Sequence, residues 1–241
     1  MIEIKNISYQ INSKIILNHV SCNIEDNMLT AIIGPNGSGK STLLKCIMQF
    51  LKYSGEILVD GTSSFKGFGL AKQVTYLAQT QNISFPHTVF DTVLMGRRPR
   101  APYRYTKTDF DLTYKMLKQM NLYNFKERPI DCLSGGELQK TLFARCLVQD
   151  TKHILLDEPF NNLDPYYQII ILKKLIELKN KKSIAVVLHD ISLLRFFDKI
   201  LIVKDKKIIE SDNYCTLLEH IYGVKFDKFK NKNEIVNLPI M

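Results

Sequence analysis

Gly34-Pro35-Asn36-Gly37-Ser38-Gly39-Lys40-Ser41-Thr42 fits the pattern G-x-x-x-x-G-K-[ST], and its surroundings decide the fold. It follows the nearly all-apolar run Leu29 to Ile33 and precedes Ser41 to Phe50, which turns helical. An apolar strand without polar alternation is one covered on both faces, as in a parallel sheet flanked by helices. In such a strand, loop, helix unit the glycines let backbone N–H groups turn inward around phosphate oxygens, and the helix N-terminus adds a positive field. Lys40 is then placed to reach the β and γ phosphates of a nucleotide, and the Ser41 hydroxyl to ligate Mg²⁺.

Two more buried strands end in polar residues. His153-Ile154-Leu155-Leu156 runs into Asp157 and Glu158, and Ile184 to Leu188 runs into His189 and Asp190. Open parallel sheets bind ligands at the C-terminal ends of their strands, so these residues are expected to converge on the glycine-rich loop. Adjacent strand residues point to opposite faces, which predicts separate jobs for the two carboxylates. Asp157 is read as holding the Mg²⁺ shell, and Glu158 as polarising the water that attacks the γ phosphate.

Leu133-Ser134-Gly135-Gly136-Glu137 marks a second helix start suited to an anion. Ser134 and Glu137 form an S-x-x-E capping box, while the paired glycines expose backbone N–H groups against which a phosphate can sit.

Elsewhere the pattern is simpler. Ile2, Ile4, Val20, Cys22 and Ile24 alternate with polar residues, as half-buried strands of an antiparallel sheet do. A helical insert is expected over about 86–132, with Thr88 and Asp91 as cap and third position of one helix and Thr108 and Asp111 of the next, which carries Phe110, Tyr114, Leu117 and Asn121. Asp164 is expected to cap a helix opened by Pro165. The tail reads as a short helix around Thr216 to Tyr222 followed by a Lys-rich, weakly alternating stretch.

Composition sets outer bounds. The 241 residues suffice for one large domain or one domain with an insert. With 45% hydrophobic and 24% charged residues, usage is that of a globular protein and not of a disordered chain. The longest apolar run, Ile184 to Leu188, is too short to span a bilayer, and Glu3, Lys5, Asn6 and Lys14 break up any secretory leader, so the expected compartment is the cytoplasm. A net charge of +9 favours an anionic partner without choosing among nucleotide, nucleic acid and lipid. Cysteines 22, 46, 132, 146 and 215 include no C-x-x-C pair and are read as reduced core thiols.

The glycine-rich loop, Leu133 to Glu137 and Leu155 to Glu158, in that order, resemble the ATP-binding cassette family over about residues 1–212. The resemblance implies an α/β fold of the P-loop NTPase type: a mixed parallel sheet core, an N-terminal antiparallel β subdomain and an inserted α-helical subdomain at about 86–149. It implies one ATPase domain over 1–241, with a C-terminal extension at about 212–241. ATP and Mg²⁺ are the implied cofactors. Phosphate contacts would come from Gly34, Pro35, Asn36, Gly37, Ser38, Gly39, Lys40, Ser41 and Thr42. Tyr9 is similar to the family's adenine-stacking aromatic residue, Gln79 to the hinge glutamine that touches Mg²⁺ and the attacking water, and His189 to the switch histidine at the γ phosphate. Asn161-Asn162-Leu163-Asp164 resembles the D-loop, with Asn161 where Ser or Thr is frequent.

In that family two chains meet head to tail, each ATP lying between the Lys40 loop of one and the Ser134, Gly135, Gly136 and Glu137 turn of the other. The implied partners are therefore a second copy and integral-membrane permease subunits at the cytoplasmic face of the cell membrane. A substrate-binding protein would act only indirectly, and no nucleic acid is expected. Thr88 to Pro99 is similar to cassettes of iron-siderophore, haem and cobalamin importers. Zinc and manganese importer cassettes share much of it, and a soluble ATPase of iron-sulfur assembly is the further alternative. In this stretch Gly96 would permit a tight helix end. Arg97, Arg98, Arg100 and Arg104 would meet acidic groups or lipid headgroups, or form a solvated basic face. Leu217 to Val224 and Val236 to Pro239 look like the C-terminus of the same importers.

Overall fold

The structure is a computed structural model and describes residues 1–65, 68–79, 87–161, 163–210, 225–231 and 234–240, the last two stretches as backbone strands. The short helix expected around Thr216 to Tyr222, the importer-like segment Leu217 to Val224, Asn162 and Cys215 lie outside them.

β1 (Ile2–Ile11), β2 (Lys14–Ile24), β3 (Leu29–Ile33), α1 (Lys40–Ile47), β4 (Ser54–Val59), α2 (Gly69–Gln73) and β5 (Val74–Leu77) form the first part of the chain. α3 (Val89–Leu94), α4 (Lys107–Gln119) and α5 (Gly135–Val148) follow, then β6 (His153–Asp157), α6 (Pro165–Lys179), β7 (Ser183–Val187), β8 (Lys199–Lys204) and β9 (Lys207–Glu210). The Lys-rich tail forms a hairpin of β10 (Lys225–Asn231) and β11 (Glu234–Ile240).

A six-stranded sheet in the order β5-β6-β7-β3-β8-β9 is parallel except for β9, and an antiparallel sheet in the order β2-β1-β4 stands apart from it. Alternate residues of each parallel strand enter different cores. On β6, Leu155 joins the core built with α1 and the antiparallel sheet, while Ile154 and Leu156 join the core built with α5 and α6. Both faces are therefore dry, which is why these strands are apolar throughout.

The insert departs from expectation in two places. The second capping box is made by Thr106 and Asp109, one pair earlier than Thr108 and Asp111, and α4 ends at Gln119 before Asn121. Both pairs satisfy the cap pattern; the choice falls to Asp109 because its carboxylate also accepts a 2.8 Å bond from the buried Arg97 Nε. Arg97 gives its Nη1 to the carbonyl of Val148 at the end of α5, and Arg100 donates to the carbonyls of Gln149 and Asp150. Two of the four arginines thus serve as internal ties between the insert and α5, Arg97 from a buried position and Arg100 from an exposed one. Gly96 is also needed for a different reason: a Cβ there would lie 2.2 Å from the carbonyl oxygen of Arg145 on α5.

The first capping box, Thr88 with Asp91, forms as expected, as does the Asp164 cap ahead of Pro165. Cys22, Cys46 and Cys146 are buried, with burial pushing the thiols of Cys22 and Cys46 up to about 12. Cys132 is exposed, contrary to its reading as a core thiol, because it ends a short 3₁₀ turn on the surface ahead of α5.

Candidate functional site

Four neighbouring strands deliver the site. β3 opens into the glycine-rich loop, β5 leads to Gln79, β6 to Asp157 and Glu158, and β7 to His189. Lys40, Ser41, Thr42, Asn36, Gly37 and Gly39 share a hollow of about 520 Å³ with Gln79, Glu158 and His189, whose remaining wall is Lys14 and Ile16 of β2. Gly34 is fixed by its surroundings: its φ is +150° and a Cβ would stand 2.1 Å from the carbonyl oxygen of Val203 on β8. The loop can therefore leave β3 only through glycine.

The loop is built to take an anion. Gly37 and Gly39 hold positive φ values of 74° and 108°, directing the backbone into the turn that precedes α1. Ser38 Oγ is buried without a hydrogen-bond partner among the described residues. Lys40 Nζ lies against the carbonyls of Gly34 and Pro35 at 2.8 and 3.0 Å, holding its charge over the loop. Burial pulls its pKa down, opposed by the charges of Glu158 and Asp157. An orphaned hydroxyl and a buried ammonium at a glycine-rich turn before a helix are what phosphate oxygens require.

Ser41 Oγ donates to Asp157 Oδ1 at 3.0 Å, and Tyr76 Oη donates to Asp157 Oδ2 at 3.2 Å. Burial pushes the Asp157 carboxyl up, the two hydroxyls draw it back down, and Glu158 adds to the rise. A hydroxyl beside a buried carboxylate is a hard oxygen donor pair that suits Mg²⁺, whose charge would offset the cost of burying Asp157.

Glu158 lies one residue beyond β6 in a left-handed conformation, φ 55°. Its separation from Asp157 thus comes from this backbone turn and not from strand alternation alone. Gln79 Nε2 donates to Glu158 Oε2 at 2.7 Å, Asn161 Nδ2 donates to the same oxygen, and His189 Nε2 lies 2.5 Å from Oε1. Asn161 therefore has a side-chain partner that reading it as a D-loop residue did not provide. Tyr76, which also touches the site, went unmarked in the sequence because it is one more aromatic residue on a short strand.

Two expected groups stand outside the phosphate hollow of this chain. Tyr9, paired with Leu17 across β1 and β2, lines a separate hollow with Tyr53 and Lys52. Ser134 and Gly135 are exposed at the start of α5, where Ser134 accepts from the Glu137 amide and Glu137 accepts from Ser134. The Glu137 carboxyl is held below its usual range by these Ser134 donors. No helix among the described residues is long and apolar enough to cross a membrane.

The sequence model of the ABC transporter family matches residues 17–161. The uncharacterized ABC transporter ATP-binding protein MJ0089 of Methanocaldococcus jannaschii is 37% identical, covering 93% of this chain and 92% of its own. The petrobactin import ATP-binding protein YclP of Bacillus subtilis is 36% identical over 93% of both chains. The manganese transport system ATP-binding protein MntB of Listeria monocytogenes is 35% identical over 86% of this chain and 88% of its own. Among solved structures, the dimeric post-hydrolysis state of the ATP-binding cassette MJ0796 bound to ADP and Pi superposes with a TM-score of 0.76 at 29% identity, covering 86% of this chain and 96% of that one.

Proposed function

The chain is an ATPase cassette of the ABC transporter family, and from that premise we propose that it drives an importer of an iron complex, siderophore or haem, or of cobalamin. The observation that carries the import reading is the whole-length similarity to the petrobactin import protein. Similarity to the manganese protein supports a second reading, import of a divalent metal ion. The chain acts as one cassette over 1–241 with its helical subdomain at about 86–149, bound peripherally to permease subunits at the cytoplasmic face of the membrane.

In the proposed mechanism the Gly34 to Thr42 loop and Lys40 hold the β and γ phosphates, and Tyr9 stacks on adenine. Ser41, Asp157 and Gln79 would hold Mg²⁺, which when bound would neutralise charge on the phosphate oxygens. Glu158 takes a proton from the attacking water as the water oxygen bonds to the γ phosphorus. The bond to the bridging oxygen breaks, its electron pair leaving with ADP. Gln79 and His189, already bonded to Glu158, orient that carboxylate, and His189 faces the γ phosphate. The exposed Ser134 turn, absent from its own chain's phosphate hollow, supports a head-to-tail dimer in which it closes the partner's site. Binding of ATP then shuts the dimer and cleavage opens it.

The test of the import reading is affinity capture from detergent-solubilised membranes with the full chain as bait. A polytopic permease is expected. Recovery of soluble scaffold proteins in its place would favour an assembly ATPase.

A further inference from the structure

Tyr76 faces Asp157 for a reason set by the sheet. It stands opposite Leu155 in the β5–β6 ladder, so its side chain leaves the sheet on the face shared by Leu155 and, two residues on, Asp157. That face packs α1, whose first turn brings Ser41 to the same carboxylate. Asp157 is therefore gripped at both oxygens: Ser41 Oγ at Oδ1 and Tyr76 Oη at Oδ2. With only 1% of the residue exposed, water has little access to take over either bond.

We propose that Tyr76 is a positioning residue for the metal site: its hydroxyl fixes the plane of the Asp157 carboxylate so that Oδ1 stays beside Ser41. The inference rests on the reading of Asp157 as a ligand of Mg²⁺. A carboxylate held at one oxygen swings about its last torsion, which is broad and soft, whereas a second bond to the far oxygen holds one orientation. Ser41 and Asp157 are then presented together before the cation arrives. The ring makes an edge contact with the exposed Phe50, the ring centroids 5.9 Å apart, and the Tyr76 backbone carbonyl accepts from Cys146 Sγ, so the backbone that carries the hydroxyl is anchored to α5 independently of Phe50.

The experiment is a Mn²⁺ titration of the full chain with a non-hydrolysable ATP analogue, followed by water-proton relaxation, beside nucleotide binding in EDTA. Tyr76→Phe keeps the ring and removes the donor. It is expected to raise the Mn²⁺ concentration for half-saturation about tenfold, the loss of one hydrogen bond to a charged group, while metal-free nucleotide binding stays within about twofold. Phe50→Leu disturbs the ring contact and is expected to leave Mn²⁺ affinity unchanged. Unaltered Mn²⁺ affinity in Tyr76→Phe, or an equal loss in Phe50→Leu, overturns the assignment. Asp157→Asn separates the two levels: if it keeps wild-type Mn²⁺ affinity, the reading of Asp157 fails; if it loses affinity and Tyr76→Phe does not, only the role of Tyr76 fails.

Discussion

Replacing Arg97 by Met removes the charge that joins the insert to α5 and keeps most of the side-chain volume. Arg97 Nε and Asp109 Oδ1 lie 2.8 Å apart with side chains only 9% and 6% exposed, so the pair is desolvated. Deleting one member of such a pair leaves an uncompensated buried charge, typically costing about 3–5 kcal/mol. Here Asp109 would keep its two bonds from the Thr106 amide and hydroxyl, at 2.9 and 2.7 Å, which places the loss near the lower bound. The Val148 carbonyl, however, would lose its guanidinium donor. The expected destabilisation is about 3 kcal/mol, a fall of roughly 6–12 °C in Tm for a chain of this size. Because the protein contains no Trp, unfolding in urea is best followed by circular dichroism. Arg97→Met combined with Asp109→Asn should cost at least about 1 kcal/mol less than the two single changes added together. A loss below about 1 kcal/mol in Arg97→Met, with additive effects in the double variant, would refute the claim that this pair ties the insert to α5.

Gly96→Ala should destabilise the chain by about 2 kcal/mol or more, since a Cβ would meet the Arg145 carbonyl at 2.2 Å; thermal unfolding checks it, and a shift within about 1 °C would contradict the close packing. Burial raises the Asp109 carboxyl, but the Thr106 and Arg97 donors together outweigh it and hold it below its usual range. Its contribution is therefore complete above the unfolded carboxylate pKa of about 3.9 and lost as pH falls through the lower folded value. Urea midpoints measured from pH 6 to 3 should fall at the acid end, and fall less in Asp109→Asn. Lys40→Ala should abolish binding of a fluorescent ATP analogue by equilibrium titration, whereas Glu158→Gln should retain it; wild-type affinity in Lys40→Ala would remove the phosphate-loop assignment.

The parallel strands were legible because burial on both faces leaves an unbroken apolar run, and the same strands pointed to the candidate site by ending in Gly34, Asp157, Glu158 and His189. The local capping boxes at Thr88 and Ser134 were legible because they use neighbours three residues apart. What local pattern could not resolve was a choice settled at long range. Thr106 prevails over Thr108 because Arg97 reaches Asp109, and Gly96 is needed because α5 passes over it. The bond from Gln79 to Glu158 likewise depends on how the ends of separate strands meet. Tyr76 carried no signal: a strand aromatic looks the same whether its hydroxyl meets solvent or a carboxylate. Cys132 was misread because hydrophobicity alone does not tell a core thiol from one on a surface turn.

The most direct test of the two-chain site is complementation between defective copies. Lys40→Ala disables the phosphate loop and Ser134→Arg disables the turn offered to a partner, so each variant alone should show no ATPase activity. Mixed, they form a heterodimer in which the intact Lys40 loop of one chain meets the intact Ser134 turn of the other, and hydrolysis should return. If the mixture stays as inactive as its components while a heterodimer forms, or if Ser134→Arg alone hydrolyses ATP at the wild-type rate, the site is not shared between chains.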